Sequence, residues 1–137
     1  METRSLQIGE VAKRSTLPIK TIRYYTDMGL LDPLVVRSPT GYRLYAQDVL
    51  NRLAFIRRTQ ALGLSLAEIG DILKIHDEGM LPCGQVKHYL ESKLTDIERQ
   101  IRQLEVLRSE VKGILSGWQD PLPVEYVEST ICPNLEK

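Results

Sequence analysis

Thr21-Ile22-Arg23-Tyr24-Tyr25, continued by Gly29-Leu30-Leu31 and by Gly41-Tyr42-Arg43-Leu44-Tyr45, contains the strongest structural signal in the chain. Cationic and aromatic side chains interleave along it, first with helical and then with strand spacing. Ile8 to Lys13 predicts a short helix ahead of it, and Pro18 is placed near the start of the second helix, where its missing N–H is tolerated. Two short helices joined by a tight turn predict a helix-turn-helix.

The second helix and the segment after it predict a surface that contacts DNA. Residues three or four apart share one helical face, so Lys20, Arg23 and one of the two tyrosines point to the nucleic acid. Gly29 is expected to end this helix in a left-handed conformation. From Asp32 to Tyr45, a β-branched pair, turn residues and an alternating strand predict a two-stranded wing. The residues that we expect to contact DNA are Lys20, Thr21, Arg23, Tyr24, Tyr25, Arg37, Tyr42, Arg43 and Arg57.

The composition limits the protein class without naming a ligand. The chain has 137 residues, with 18 Lys and Arg against 18 Asp and Glu, so its formal net charge is zero. Net charge therefore does not indicate a nucleic-acid-binding protein, but in the first half the cations are concentrated in the motif, while acidic residues gather in the helix and tail that follow. Such local patches determine phosphate affinity. For Arg57 and Arg58 two interpretations stay open, a solvated helix face or a phosphate clamp beside the wing.

Several classes of protein are disfavoured. The sequence has neither an apolar run of membrane-spanning length nor a signal-peptide pattern, so we expect a cytoplasmic protein. Its two cysteines are then expected to be reduced, which favours metal binding or redox chemistry over a structural disulfide. There is no glycine-rich phosphate loop and no serine, histidine and aspartate spacing typical of hydrolases, so we do not expect an enzyme.

Two further helices are predicted after the wing. The third opens at Ala46 to Val49, follows a 3.6-residue apolar period and is expected to end near Gly63. Ser65 and Glu68 have the spacing of a capping box, which predicts a fourth helix from Leu66 to about Ile75. The residues from 76 to 82 are expected to form a loop.

A long heptad pattern follows that loop. Its apolar residues recur in steps of mostly four and three, at Leu90, Leu94, Ile97, Ile101, Leu104, Leu107, Val111 and Leu115. A helix of about 30 residues extends some 45 Å at a rise of 1.5 Å per residue, too far for a small domain to cover. The same helix of a second chain is the simplest partner, which predicts a homodimer. A DNA-independent interaction module is the rival interpretation, but it leaves the cationic and aromatic motif unexplained.

Three motifs together resemble the MerR family of bacterial transcriptional regulators. They are IGEVAK at residues 8–13, TIRYYTDMGLL at 21–31 and GYRLYAQDVLNRLAFIRRTQALGLSLAEI at 41–69. The resemblance covers about the first 75 residues. Many members have an acidic residue directly after the tyrosines, where this chain has Thr26-Asp27, and the wing is about one residue longer at Leu34-Val35-Val36. Both departures are expected to alter wing contacts without changing the fold.

The resemblance implies a mainly α fold in three parts. Residues 1–75 would form a winged helix-turn-helix DNA-binding domain with connector helices, and residues 76–117 a loop and a long dimerisation helix. This helix would pair as an antiparallel coiled coil. Residues 118–137 would form an effector-binding tail. The implied partners are promoter DNA, RNA polymerase and a second copy of the chain.

The two cysteines point to the metal-sensing branch of the family. Cys83 opens the long helix, where negative charge is favoured, and Cys132 is in a C-terminal Cys-Pro segment. The resemblance implies that both bind a divalent ion of the Zn, Cd, Hg or Pb class, with Cys83 of one chain near Cys132 of its partner. Metal sensors usually have a further cysteine after the dimerisation helix, but residues 116–120 contain none.

The missing third cysteine leaves the ligand set open. Two thiolates suffice for linear Hg(II), whereas Zn(II), Cd(II) or Pb(II) requires more ligands. The candidates to complete the shell are His76, which we favour between the two histidines, His88, Glu125 and Glu128. A thiol, redox or electrophile sensor that uses the same two cysteines is the alternative function. A purely structural role for Cys83, with Cys132 as an incidental tail residue, also stays open.

Overall fold

The computed structural model describes residues 5–121 and 124–136, except the side chain of Tyr126. The chain divides into two compact units, Met1–Lys93 and Leu94–Lys137. Short 3₁₀ turns cover Asp32–Leu34 and Val124–Val127. The helices and strands are α1 Ile8–Ser15, α2 Ile19–Asp27, β1 Val35–Arg37, β2 Arg43–Tyr45, α3 Val49–Ala61, α4 Leu66–Asp77 and α5 Cys83–Ser116. The predicted mainly helical fold with a small wing is confirmed, while the orientation of the coiled coil and the three domain boundaries stay predictions.

Two turn residues set the bounds of α2. Pro18 is its N-cap, one position earlier than the sequence suggests, so the missing N–H lies outside the helix. Gly29 has a φ of +81°, and the N–H groups of Gly29 and Leu30 donate to the carbonyl groups of Thr26 and Tyr25 at 3.0 and 3.1 Å. These two bonds are those of a Schellman motif, which confirms the predicted glycine cap.

The wing is fixed to the helix-turn-helix through Tyr45. The strands β1 and β2 pair antiparallel, with Val35 opposite Tyr45 and Arg37 opposite Arg43. Leu6 adds a bridge, because its N–H and C=O both bond with the backbone of Tyr45 at 2.7 and 2.8 Å. The Tyr45 ring is fully buried, and its hydroxyl lies 2.9 Å from Oγ1 of Thr26 on α2. The base of the wing and α2 therefore form one packed body.

One apolar core organises the Met1–Lys93 unit. The four helices α1 to α4, the wing and the segment before α1 all contribute buried side chains to it. The first part of α5 packs against this core through Val86 and Tyr89, and the Tyr89 hydroxyl donates to Asp71 Oδ2 on α4 at 3.0 Å. The nearby Asp71 carboxylate raises the pKa of Tyr89. The start of α5 is thus held by the same unit that carries the helix-turn-helix.

The bounds of α4 agree with the sequence at one end only. The predicted capping box is present, with Glu68 N–H donating to Ser65 Oγ at 3.1 Å and Ser65 N–H donating to Glu68 Oε1 at 2.9 Å. The expected end near Ile75 is wrong, because the helix continues to Asp77. His76 therefore lies on the last turn of α4 and not in a loop. The reason is local: Gly79 has a φ of +88°, and the N–H groups of Gly79 and Met80 donate to the carbonyl groups of His76 and Ile75 at 2.9 and 3.3 Å, a glycine cap like that of α2. Asp77, the last residue of the helix, also makes a tertiary contact with α3.

That contact is an ion pair between Arg52 of α3 and Asp77. Arg52 is 8% exposed, and its two terminal nitrogens donate to the two carboxylate oxygens of Asp77 at 2.6 and 2.9 Å. Its Nε donates to the Leu30 carbonyl at 2.6 Å. The hydrogen bonds from Arg52 lower the pKa of Asp77 although burial opposes the shift. One guanidinium therefore joins the segment after α2, helix α3 and the end of α4.

Arg52→Ala is expected to destabilise the Met1–Lys93 unit by about 3 kcal/mol, because it leaves a partly buried carboxylate and a carbonyl without their partner. The matched control is Arg99→Ala, since Arg99 pairs with Asp96 at 3.0 Å and is 57% exposed. An exposed pair contributes about 0–1 kcal/mol. Urea unfolding at neutral pH measures both changes. Equal losses in the two variants would contradict a special role for Arg52.

The same pair predicts a pH dependence of stability. The folded-state pKa of Asp77 lies below its usual value of 3.8, so its contribution is complete above that value. It is lost as the pH falls through the lower, folded-state pKa. Unfolding measured between neutral pH and pH ~3 should therefore show the difference between the wild-type protein and Arg52→Ala shrinking only at the acid end.

The helix α5 leaves its predicted seam uncovered within one chain. It ends at Ser116, as expected, and the structure shows no buried residue along its length. The eight seam residues from Leu90 to Leu115 are between 36% and 63% exposed. Such an exposed apolar stripe indicates that a second helix packs against it. Among the described residues, none of the helices combines the length and the apolar character that a membrane-spanning segment requires.

Candidate nucleic-acid interface and cysteine sites

One face of α2 is available to a ligand and the other is packed into the core. Lys20, Arg23 and Tyr24 are exposed, and Thr21 is half-buried. Tyr25, which the sequence predicts to contact DNA, is only 5% exposed, and its hydroxyl donates to Gln60 Oε1 on α3. Burial is the main cause that raises its pKa. We therefore assign Tyr25 to the core.

The exposed face of α2 meets the wing at an open cleft of about 470 Å³. Three arginines enter this cleft from three elements, Arg23 from α2, Arg37 from β1 and Arg43 from β2. The first residues of α1 line it as well, and the free N–H groups at a helix start favour anions. The lining residues are Gln7, Ile8, Gly9, Arg23, Arg37, Gly41, Tyr42 and Arg43, which include no acidic side chain.

The three arginines of the cleft are held differently. Arg37 donates to the Gly41 carbonyl at 3.0 Å within the wing, and Arg43 donates to Asp27 Oδ1 at 2.8 Å. The bond to Asp27 is the main cause that raises the pKa of Arg43. In the described ranges, 5–121 and 124–136, no partner is seen for Arg23. The guanidinium groups retain donors for phosphate oxygens, which guanidinium binds in a bidentate geometry.

Arg57 lies outside this cleft. It is exposed on α3, and its NH1 lies 3.4 Å from Oγ1 of Thr16, at the turn between α1 and α2. Arg58 is exposed on the same helix. This position beside the helix-turn-helix is compatible with a phosphate contact and with a solvated face, so both interpretations of these arginines stay open.

Cys83 belongs to the Met1–Lys93 unit. It is the first residue of α5, and its thiol is free and exposed. His76 is exposed on α4, with Nδ1 3.7 Å from Asp77 Oδ1, the carboxylate that binds Arg52. An apolar cleft of about 430 Å³ between α3 and α4 includes His76 and Pro82 in its lining. The residue before Cys83 thus lines a cleft that is accessible in a single chain.

Cys132 belongs to the Leu94–Lys137 unit, where a compact turn holds it. Its thiol is free and half-buried. The N–H groups of Ile131 and Cys132 donate to Glu136 Oε2 at 3.0 and 2.8 Å. Asn134 is 8% exposed, and its amide both accepts from the N–H of Gln119 and donates to its carbonyl at 2.9 Å. The turn that contains Cys132 is therefore tied to the segment that follows α5.

The sequence analysis missed the roles of Asn134 and Glu136. Asn134 follows a Cys-Pro pair, which indicates a turn, but the contact with Gln119 spans 15 residues and gives no local signal.

Within the described part of one chain, no group of three or more histidine, cysteine, aspartate or glutamate side chains is arranged to bind a metal ion. Of the predicted ligands, Cys83 and His76 belong to the Met1–Lys93 unit and Cys132 belongs to the Leu94–Lys137 unit.

The comparisons with known proteins identify the family. Residues 6–75 match the family described as MerR HTH family regulatory protein, and residues 50–114 match the family described as MerR, DNA binding. The HTH-type transcriptional regulator HmrR of Rhizobium leguminosarum bv. viciae is 38% identical over 110 residues, which cover 80% of this chain and 84% of that protein.

Two further relatives match over most of their length. The mercuric resistance operon regulatory protein of Bacillus cereus is 38% identical over 130 residues, covering 95% of this chain and 94% of that protein. The crystal structure of the transcription regulator PbrR691 from Ralstonia metallidurans CH34 in complex with lead(II) superimposes with a TM-score of 0.75 at 31% identity, covering 85% and 91% of the two chains. These relatives are regulators and not enzymes, and the chain belongs to the MerR family of DNA-binding transcriptional regulators.

Proposed function

We propose that the chain is a homodimeric, promoter-binding regulator that responds to a soft or borderline divalent metal ion through Cys83 and Cys132. The three-arginine cleft between α2 and the wing is the observation that carries the DNA-binding part. Its cations come from separate elements that share one packed core, so their spacing is set before DNA arrives. Such a preformed surface lowers the cost of ordering side chains on binding.

The dimer is proposed from the exposed seam of α5. Its apolar stripe is long and is between 36% and 63% exposed among the described residues of one chain, and a second α5 would bury it. We propose an antiparallel pairing, with residues 76–117 as the loop and dimerisation region between a DNA-binding domain at 1–75 and an effector-binding tail at 118–137. A dimer also presents two DNA-binding domains to two half-sites.

The metal response is proposed from the donor set and the relatives. One relative is named for mercuric resistance and another was crystallised with lead(II), and thiolates are the ligands that such soft ions prefer. Cys83 and Cys132 would hold the ion, and a binding site that crosses the dimer interface would combine Cys83 of one chain with Cys132 of its partner. His76 is the proposed additional ligand for an ion that needs more than two.

The regulatory step is a two-state equilibrium of the dimer on promoter DNA. A ligand shifts such an equilibrium only through its different affinity for the two states. Cys83 is at the start of α5 and Cys132 is in the tail. An ion bound by both cysteines would therefore favour the dimer state in which these two residues are close together. We propose that this state is the one that RNA polymerase engages.

A thiol or electrophile sensor is the second candidate function. It is favoured by one observation, that Cys83 is a free and exposed thiol at the start of a helix. This function would require no tight metal binding. Metal content of the reduced protein therefore separates the two candidates.

Arg23→Ala and Arg43→Ala test the DNA interface. Each variant is expected to weaken promoter binding roughly tenfold, because a hydrogen bond to a charged group contributes about 1.5 kcal/mol. The slope of log affinity against log salt should fall by about one for each lost phosphate contact. Electrophoretic mobility shifts at several salt concentrations measure both effects.

The control for these variants is Arg99→Ala, which removes an exposed arginine of α5 outside the cleft. It should leave affinity and salt slope at the wild-type values. All three variants should sediment as the wild-type dimer does. Unchanged promoter binding by both Arg23→Ala and Arg43→Ala would contradict the assignment of the cleft as a DNA-binding surface.

A further inference from the structure

An ion pair connects the wing to the last residue of α2. Arg43 NH2 lies 2.8 Å from Asp27 Oδ1, and the Asp27 side chain is 62% exposed while that of Arg43 is 30% exposed. Arg43 is also part of the cleft wall, whereas Asp27 is not. The carboxylate thus contacts a terminal nitrogen of one of the three arginines that line the cleft.

Local physical chemistry gives little reason for an aspartate at this position. The last turn of a helix carries partial negative charge, so a carboxylate there is disfavoured. No basic residue of α2 lies in that turn to offset it. A carboxylate beside a phosphate-binding surface is also repelled by DNA. The contact with Arg43 is the benefit that the structure shows.

The neighbouring residue Thr26 cannot make this contact. Its hydroxyl donates to the Ile22 carbonyl at 2.7 Å and lies 2.9 Å from the Tyr45 hydroxyl, so it faces the base of the wing. The residue that reaches the guanidinium of Arg43 is therefore position 27 and not position 26.

We propose that Asp27 is a positioning residue that sets the specificity of DNA binding by acting through Arg43. The inference rests on the proposed DNA-binding function. The carboxylate holds the guanidinium in one direction, so that its remaining donors meet a phosphate only when the duplex is seated in the cleft. A duplex that is not seated in the cleft faces the negative charge of Asp27 and a guanidinium that cannot turn toward its phosphates.

This arrangement affects the two kinds of complex differently. Non-specific binding depends on the number of mobile cations that neutralise phosphates, so a partly neutralised Arg43 weakens it. Specific binding depends on contacts at fixed positions, which the Asp27 contact favours. Asp27 thus lowers affinity for the wrong DNA more than it lowers affinity for the right DNA.

The test compares Asp27→Asn with Asp96→Asn in the full-length chain. Each change replaces a carboxylate by an amide and releases one arginine, since Asp96 pairs with Arg99 at 3.0 Å on the exposed surface of α5. The probes are a duplex that the wild-type protein selects from a random-sequence pool and a scrambled duplex of the same composition.

Asp27→Asn is expected to bind the scrambled duplex about two to five times more tightly, the range for an exposed ion pair, with a salt slope steeper by about one. Binding of the selected duplex should change less than twofold, so the specificity ratio falls. Asp96→Asn should resemble the wild-type protein on both duplexes. Asp27→Glu, which keeps a carboxylate within reach of Arg43, should restore the ratio.

Two results would overturn the inference. One is an Asp27→Asn variant that behaves as Asp96→Asn does on both duplexes. The other is an undiminished effect of Asp27→Asn when Arg43 is already replaced by glutamine, since the aspartate would then act by its charge alone. If the wild-type protein selects no duplex at all, the proposed DNA-binding function fails as well, and that outcome is seen before any variant is compared.

Discussion

Ile97→Glu is expected to convert the dimer into monomers. Ile97 belongs to the predicted seam of α5 and is 40% exposed in one chain, so a glutamate there would place a charge between two apolar stripes. A charge buried without a partner costs several kcal/mol, and the dimer contains the substitution twice. Dimer affinity should fall by a factor of about 1,000 or more, which sedimentation velocity over a range of protein concentrations measures.

The matched control for this change is Ser92→Glu. It adds the same charge to the same helix, but position 92 lies about 140° around the helix from Ile97, at about 100° per residue. This variant should remain dimeric. Promoter binding should be lost with the dimer in Ile97→Glu, because a monomer offers one DNA-binding domain in place of two. A dimeric Ile97→Glu protein would show that the seam lies elsewhere.

Cys83→Ser and Cys132→Ser are each expected to abolish the transcriptional response to metal. Each removes one of two thiolates from the proposed site, and a small thiol in excess then competes successfully for the ion. DNA binding should survive, because Arg23, Arg37 and Arg43 lie on other elements. Reporter transcription and mobility shifts measure the two properties separately.

A heterodimer of the two single mutants tests whether the site crosses the interface. One of its two crossed sites has both cysteines and the other has neither. We therefore expect one mercuric ion per dimer in the presence of excess glutathione, against two for the wild-type dimer and none for either mutant homodimer. A site within one chain would leave the heterodimer without metal. A redox sensor would retain no metal in any form but would respond to oxidant in the wild-type protein only.

The sequence predicted the elements whose signals are local. The glycine cap at Gly29, the capping box at Ser65 and the two short strands all depend on residues within a few positions of one another, and each prediction is confirmed. The end of α4 also has a local signal, because Gly79 in a left-handed conformation caps the helix two residues beyond the end that we expected. The ion pair of Asp77 with Arg52, 25 residues earlier, has no such local pattern in the sequence.

The candidate site was predictable to a similar extent. A helical face can be assigned from spacing, but Tyr24 and Tyr25 are adjacent, and their directions differ by about 100°. Only the contact of Tyr25 with Gln60, 35 residues later, shows which tyrosine belongs to the core. The cation cleft also needed the structure, because its three arginines come from α2, β1 and β2. The cysteine site remains a prediction, since its proposed donors come from two chains.

The two hydrogen bonds between Asn134 and Gln119 affect how this protein can change over evolution. Both bonds are made with backbone atoms of residue 119, so they do not depend on the side chain there. The cost of closing a loop rises only with the logarithm of its length, by about 0.6 kcal/mol for each doubling. Insertions and deletions between Gln119 and the turn that begins at Ile131 are therefore inexpensive, while Cys132 stays in the turn that Asn134 anchors. Descendants of this chain can vary the length of the tail without losing the position of its thiol.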